Sequence, residues 1–263
     1  MLLSGISAVA FAAVGAATPS PKTLKSDLTI LIDNDLRGIP PSPLPTDIIP
    51  DQSPGATSST SSSAAILLGA KKNQSDALAA CQSIGEQLWS PQLNTTNIKR
   101  LLDHLVYQKR VDLTTQLWIS PATGGNTTRT IDGSGKVTEV ENSKLLGVLC
   151  TQTAPYSSEK VTDTGERWRV GVQTGGLSLT GYRDRLSFRF LGIRYAPQPK
   201  RFAYSTLFKG SGEADALSFG PQCAQGSVGS GSEDCLFLNV WTPYLPGSSY
   251  GSEKKKLKPV GVW

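Results

Sequence analysis

Glu233-Asp234-Cys235-Leu236-Phe237-Leu238-Asn239-Val240-Trp241-Thr242-Pro243 is the stretch whose reading decides the fold. Its apolar residues from Leu236 to Val240 predict a central strand that fills a core, with an acidic pair and a cysteine at its entrance. Ahead of it, Trp168-Arg169-Val170-Gly171-Val172-Gln173 predicts a strand and Thr174-Gly175-Gly176 a turn. Leu177-Ser178-Leu179-Thr180-Gly181 then begins a second strand. Glu233 and Asp234 are adjacent on an extended chain, so they point to opposite faces and cannot act as a facing acid/base pair.

Farther out, residues 65–154 read as a small α+β module. Ala65-Ile66-Leu67-Leu68 predicts a short strand. Ser75 then caps a helix whose Ala77, Ala80, Cys81 and Ile84 share one face and which Gly85 ends. Ile98, Leu101, Leu102, Leu105 and Val106 carry the spacing of a second amphipathic helix, from Thr95 or Thr96 to about Tyr107. Leu117-Trp118-Ile119 and Leu145-Leu146-Gly147-Val148-Leu149-Cys150 supply later strands.

The flanks differ in composition. Met1 to Ala17 is an apolar, Ala-rich segment too short for a stable bilayer anchor, and it reads as a secretory signal peptide over residues 1–17. Residues 18–64 are rich in proline and serine and read as a disordered linker, within which Leu28-Thr29-Ile30-Leu31-Ile32 has the character of a strand. Secretion makes disulfides the default for the four cysteines Cys81, Cys150, Cys223 and Cys235, which show no metal-ligand spacing. Three pairings are possible, and the division of the chain into two regions favours Cys81 with Cys150 and Cys223 with Cys235. Asn73, Asn94 and Asn126 open N-x-[ST] glycosylation sequons.

The 263 residues carry 26 Lys+Arg against 21 Asp+Glu, a mild excess scattered among carboxylates except at Lys254-Lys255-Lys256 and Lys258. That distribution does not make a nucleic-acid surface. The glycines between Cys223 and Cys235 are followed by no helix bearing Lys-Ser/Thr, which argues against a phosphate cradle. No cofactor or metal is implied. His104, the only histidine, points away from the apolar stripe of its helix and has no orienting carboxylate in reach. Gly247-Ser248-Ser249-Tyr250-Gly251 matches G-x-S-x-G literally, but Ser249 lies in a polar loop rather than on a strand-to-helix turn.

Three blocks carry a family resemblance. Phe190-Leu191-Gly192-Ile193-Arg194-Tyr195-Ala196-Pro197-Gln198-Pro199-Lys200-Arg201-Phe202 resembles, in compact form, the block that opens the catalytic domain of type-B carboxylesterases and lipases. Phe219-Gly220-Pro221-Gln222-Cys223-Ala224-Gln225 resembles the block that follows, and Glu233 to Pro243 resembles the EDCLxLNVxxP signature of the same cholinesterase-like branch of the α/β-hydrolases. The resemblance implies that residues 165–263 form the N-terminal part of such a domain. It implies a Cys223–Cys235 clip beside the active-site gorge and a buried ion pair between Arg201 and Glu233.

It also implies that the catalytic serine elbow, histidine base and HGG oxyanion loop lie past Trp263. The catalytic set within these residues is therefore expected to be empty and the chain inactive alone, with an ester substrate relevant only to a full-length form. Residues 65–154 resemble a C-type-lectin-like layout, in which the first-helix cysteine bonds the last-strand cysteine. The run from Ala80 to Trp89 resembles N-terminal extensions of secreted fungal esterases.

The expected fold is thus a lectin-like α+β module followed by the first strands of an incomplete α/β-hydrolase with a mixed β-sheet. The expected function is the N-terminal portion of a secreted type-B carboxylesterase or lipase, without nucleic-acid partner or membrane anchor. The alternative is a secreted binding or structural protein in which the lectin-like module does the work.

Overall fold

A computed structural model describes residues 27–32, 64–92, 95–122, 127–157, 161–226, 231–247 and 260–261. Its elements in chain order begin with β1 (Leu28–Ile32), β2 (Ala64–Lys72), α1 (Gln74–Ser83) and α2 (Thr95–Tyr107). Next come β3 (Gln116–Ile119), β4 (Arg129–Asp132), β5 (Val137–Glu139) and β6 (Leu146–Thr151). After a single 3-10 turn at Glu166–Trp168 follow β7 (Arg169–Thr174), β8 (Gly176–Arg183), β9 (Phe188–Arg194), β10 (Ser211–Asp215), β11 (Phe237–Thr242) and β12 (Tyr244–Leu245).

Two sheets result. The first has seven strands in the order β12-β1-β2-β6-β3-β4-β5, antiparallel except where β3 runs parallel to β6. The second follows the path β10-β8-β9-β11, and β7 also pairs with β8. This mixed-sheet pattern, with few helices, is compatible with part of an α/β-hydrolase.

The first sheet is buried on both faces, and the alternation of its side chains shows how. Ile66 and Leu68 of β2, Val148 and Cys150 of β6 and Trp118 of β3 point to one core; Ala65, Leu67, Leu149, Leu117 and Ile119 point to another. The Ala65-Ile66-Leu67-Leu68 run is continuous because both faces of its strand are covered. On one side, Ile98, Leu101, Leu102 and Leu105 of α2 close the core, which is the stripe that the 3.6-residue spacing predicts.

On the other side, Ala77 and Cys81 of α1 meet Val170, Leu179, Phe188 and Phe190 from the second sheet. One apolar cluster therefore spans the expected boundary between residues 65–154 and 165–263, and the packing does not divide there. β12 crosses it again, since Tyr244 and Leu245 register with Thr29 and Leu28 on the first sheet.

Two local expectations need correction, and one is met. Asn73, not Ser75, caps α1: its Oδ1 accepts from the Asp76 N–H at 2.8 Å and from the Ser75 hydroxyl at 2.9 Å. The strand character read at Leu28–Ile32, inside the segment expected to be a disordered linker, is realised, with β1 paired to β2 along its length. Among the described residues the strand at Phe237–Thr242 is not central: it lies at the edge of the second sheet, where β9 is its one partner. Leu238 and Val240 are thus more than a third exposed rather than core. The signal-peptide segment 1–17, residues 33–63, and the run from Ser248 to Pro259 that holds Ser249 and the lysines lie outside the described residues.

Candidate functional site

β9 and β11 build the doorway to the signature strand. Phe237 registers opposite Arg194, the last residue of β9. That register places the Arg194 guanidinium 4.4 Å from the centroid of the Phe237 ring. From there it reaches Asp234 bidentately, with Nη1 to Oδ1 at 2.6 Å and Nη2 to Oδ2 at 2.7 Å. Asp234 is held in place by its own backbone N–H, which donates to Ser232 Oγ at 3.0 Å.

The expected Arg201–Glu233 ion pair does not form. Both side chains are exposed, and the Arg201 guanidinium lies over the ring of its neighbour Phe202. Arg201 follows the compact Pro197-Gln198-Pro199 segment, whereas Arg194 is already fixed by the ladder across from the doorway. Of two adjacent acids on an extended chain only one can face that cation, and it is Asp234.

The Cys223–Cys235 disulfide closes the doorway loop, with Cα atoms 4.9 Å apart. Cys223 bridges to Ser232, and the Ser232 N–H donates to Gln222 O at 2.8 Å. Gly231 has φ +87°, and a Cβ there would stand 2.6 Å from Cys223 O, so glycine is required for the loop to fold back on its own clip. Farther along, Asn239 Oδ1 accepts the Gly192 N–H at 2.8 Å and pins β9 to β11.

The Arg194 hydrogen bonds hold the Asp234 carboxyl below the usual carboxylate range, and Asp234 in turn raises Arg194. The folded-state pKa of Asp234 is depressed, so the contribution of the pair is present above the ordinary carboxylate range and is lost as pH falls through the depressed value. Carbonyl-detected NMR titration should find Asp234 ionising at lower pH than a free aspartate, and Arg194→Gln should return it toward the ordinary range. An ordinary pKa in the unsubstituted protein would rule the pair out.

A second set of polar groups is buried where residues from either side of the expected boundary meet. Arg183, at the end of β8, is 2% exposed and Glu86, after α1, 3%. Arg183 Nη2 lies 2.8 Å from Glu86 Oε1. Two further N–H groups of the guanidinium are used as well: Nη1 donates to Gln152 Oε1 at 2.8 Å and Nη2 to Ile84 O at 3.0 Å. Glu86 accepts from Thr151 Oγ1 at 2.6 Å, Thr153 N–H at 2.9 Å and Thr153 Oγ1 at 3.0 Å. Gln152 donates on to Asp184 O, and Asp184 pairs with Arg189.

The Arg183 guanidinium also faces the Trp168 ring at 5.3 Å, and Arg167 faces the same ring at 4.6 Å. Burial presses Arg183 below its usual pKa, while Glu86 opposes that shift. Sequence reasoning missed this bridge. The available signal was a charged Arg183-Asp184 pair ending an otherwise apolar strand, which in a buried setting demands a partner.

The other predicted residues are placed as follows. Cys81 and Cys150 form the second disulfide, both fully buried, and tie α1 to β6. Asn73 is half-buried at its helix cap, whereas Asn94 and Asn126 lie outside the described residues. His104 is exposed on α2 and its Nε2 lies 2.7 Å from Gln108 Nε2 one turn on, a partner the sequence reading had not given it. Among the described residues no nucleophile, base and acid converge, and no cluster of His, Cys, Asp or Glu could hold a metal ion.

The edge strand, clipped loop and mixed sheet lie in a carboxylesterase-like region: residues 173–263 match the model of the carboxylesterase family. Acetylcholinesterase-1 of Trittame loki is similar to this chain, with 35% identity over 109 residues. That alignment covers 34% of this chain and 18% of the relative. The chain thus spans less than a fifth of the length of the curated relative it matches.

Proposed function

We propose that this chain is the N-terminal portion of a secreted type-B carboxylesterase or lipase, contributing the clipped doorway and first strands of the ester-hydrolysing domain. One observation carries the reading. The carboxylesterase-like region exposes the apolar surface that a larger hydrolase domain would cover: Leu238, Val240 and Trp241 on the edge strand β11, with Tyr204 and Leu207 on the connection between β9 and β10. A strand edge left unpaired among the described residues and flanked by apolar side chains is a template for a further strand.

In this reading residues 65–154 are an accessory module, lectin-like in layout, that braces the hydrolase sheet from behind through the Glu86–Arg183 bridge. Two disulfides support an oxidising, extracellular setting. Hydrolysis belongs to the domain as a whole, and these 263 residues alone do not turn over esters.

Purified protein incubated with a short-chain aryl ester should show no release above the buffer rate. Turnover that disappears in Ser249→Ala would overturn the inactivity. The covering of β11 has its own test: the isolated chain should bind a hydrophobic dye, and Leu238→Ser with Trp241→Ser should reduce that signal. Absence of dye binding by the unsubstituted chain would count against an uncovered hydrolase sheet.

A further inference from the structure

A cleft of about 700 Å³ opens where β1, the C-terminal end of α2 and the β11–β12 connection meet. It is remote in kind from the doorway, sharing with it only the strand β11. Its volume falls in the range of small-molecule sites, which are mostly apolar with a few placed polar groups. Leu31 and Leu101, both buried, supply an aliphatic floor, and the Trp241 and Tyr244 rings form one wall. Thr29, another lining residue, is 7% exposed, and its buried Oγ1 has no hydrogen-bond partner.

Among the described residues, Arg110 and His104 are the basic groups that line the cleft and no aspartate or glutamate lines it. Arg110 is half-buried, its guanidinium carbon 5.5 Å from the Tyr244 ring centroid, and no described carboxylate pairs with it. Asp27, which contacts the far side of Tyr244, is engaged by the Tyr244 hydroxyl at 2.8 Å and the Gly247 N–H at 2.8 Å.

Nor is the cation needed to cap its helix. The N–H groups of Gln108, Lys109 and Arg110 already take the carbonyls of His104, Val106 and Leu105 in the last turn of α2. A planar guanidinium left without an anion, beside aromatic walls and an aliphatic floor, is complementary to a carboxylate on an apolar body.

We infer that this cleft binds a small amphipathic monocarboxylate, with the carboxylate on Arg110 and the apolar body against Trp241, Leu31 and Leu101. The site is inferred for the 263-residue chain, and its test does not involve ester turnover. A single cation sets the preference for one negative charge. His104, hydrogen-bonded to Gln108, stands at the rim and adds a second polar contact.

The test uses the 263-residue chain and isothermal titration with octanoate, its neutral isostere octanamide, and octylammonium. Octanoate is expected to bind at one site per chain, and octanamide and octylammonium at least about tenfold more weakly, the scale of one charge-assisted contact. Arg110→Gln should remove most of the difference between octanoate and octanamide while melting within a few degrees of the parent, as expected for a partly exposed side chain. Lys136→Gln, on a different surface, should leave binding unchanged. Equal affinity for octanoate and octanamide on the unsubstituted protein would overturn the inference whether or not the variant folds. So would no heat at about 5 mM octanoate, or an Arg110→Gln protein that still prefers the acid.

Discussion

Glu86→Ala and Arg183→Ala are each expected to cost about 3–5 kcal/mol of unfolding free energy, because each leaves an ion buried without its counter-charge. Arg183 is the more exacting loss. Its guanidinium serves Glu86, Gln152 and the Ile84 carbonyl at once and stacks on Trp168, so truncation strands acceptors and opens space beneath the ring. Glu86 likewise accepts four contacts, three of them from Thr151 and Thr153.

The double variant should cost clearly less than the sum of the two, since removing both charges leaves neither unpaired. Urea denaturation followed by tryptophan fluorescence measures all three. Because the bridge and the shared apolar cluster join the two parts, the parent should unfold in one transition. Losses below about 1 kcal/mol, or two separated transitions, would show that the parts stand alone. Lys99→Ala, which breaks an exposed pair with Asp103 on α2, is the matched control and should change stability by less than about 0.5 kcal/mol.

Removing the buried disulfide is the second large effect. Cys81 and Cys150 are separated by 69 residues and both are fully buried. In the chain-entropy description the cross-link stabilises by about 4 kcal/mol, and the Cys81→Ala, Cys150→Ala protein should lose that amount. The doorway disulfide closes a separation of 12 residues and has an exposed partner in Cys223, so its removal should cost less, about 3 kcal/mol.

Graded reduction under native conditions separates the two. Cys223–Cys235 should open first and leave the tryptophan spectrum of the core nearly unchanged, while reduction of Cys81–Cys150 should require unfolding of α1 from β6. If the doorway pair resists reduction longer than the buried one, the assigned environments are wrong.

Much of the local structure was legible. The stripe on α2, the hairpin of β7 and β8 around Gly175, and the helix stop at Gly85 follow from spacing and from glycine at positive φ. The strand Leu28–Ile32 was visible inside a proline- and serine-rich surrounding because its composition alone contrasts with it. The cysteines were readable as disulfide partners, but the residues themselves left the pairings open.

The doorway was legible in kind and misread in detail. Its motif names an arginine and an acid, yet two arginines and two acids were available. The choice depended on the β9–β11 register that sets Arg194 opposite Phe237.

The sequence by itself determined the two helices, the strands with a clear apolar pattern such as those at Ala65–Leu68 and Leu117–Ile119, the use of the cysteines as disulfides, and the carboxylesterase-like character of residues 173–263. Periodicity suffices for this because it reports which face of an element is apolar. Only the tertiary structure decided what covers each face. It made β2 a strand buried on both sides, moved the signature strand from the centre to an edge, and chose Asp234 over Glu233. It also brought Glu86 to Arg183 across a boundary that composition had suggested. Those outcomes depend on contacts between residues far apart in the chain, whose cost in loop entropy and desolvation is met only when the whole core assembles.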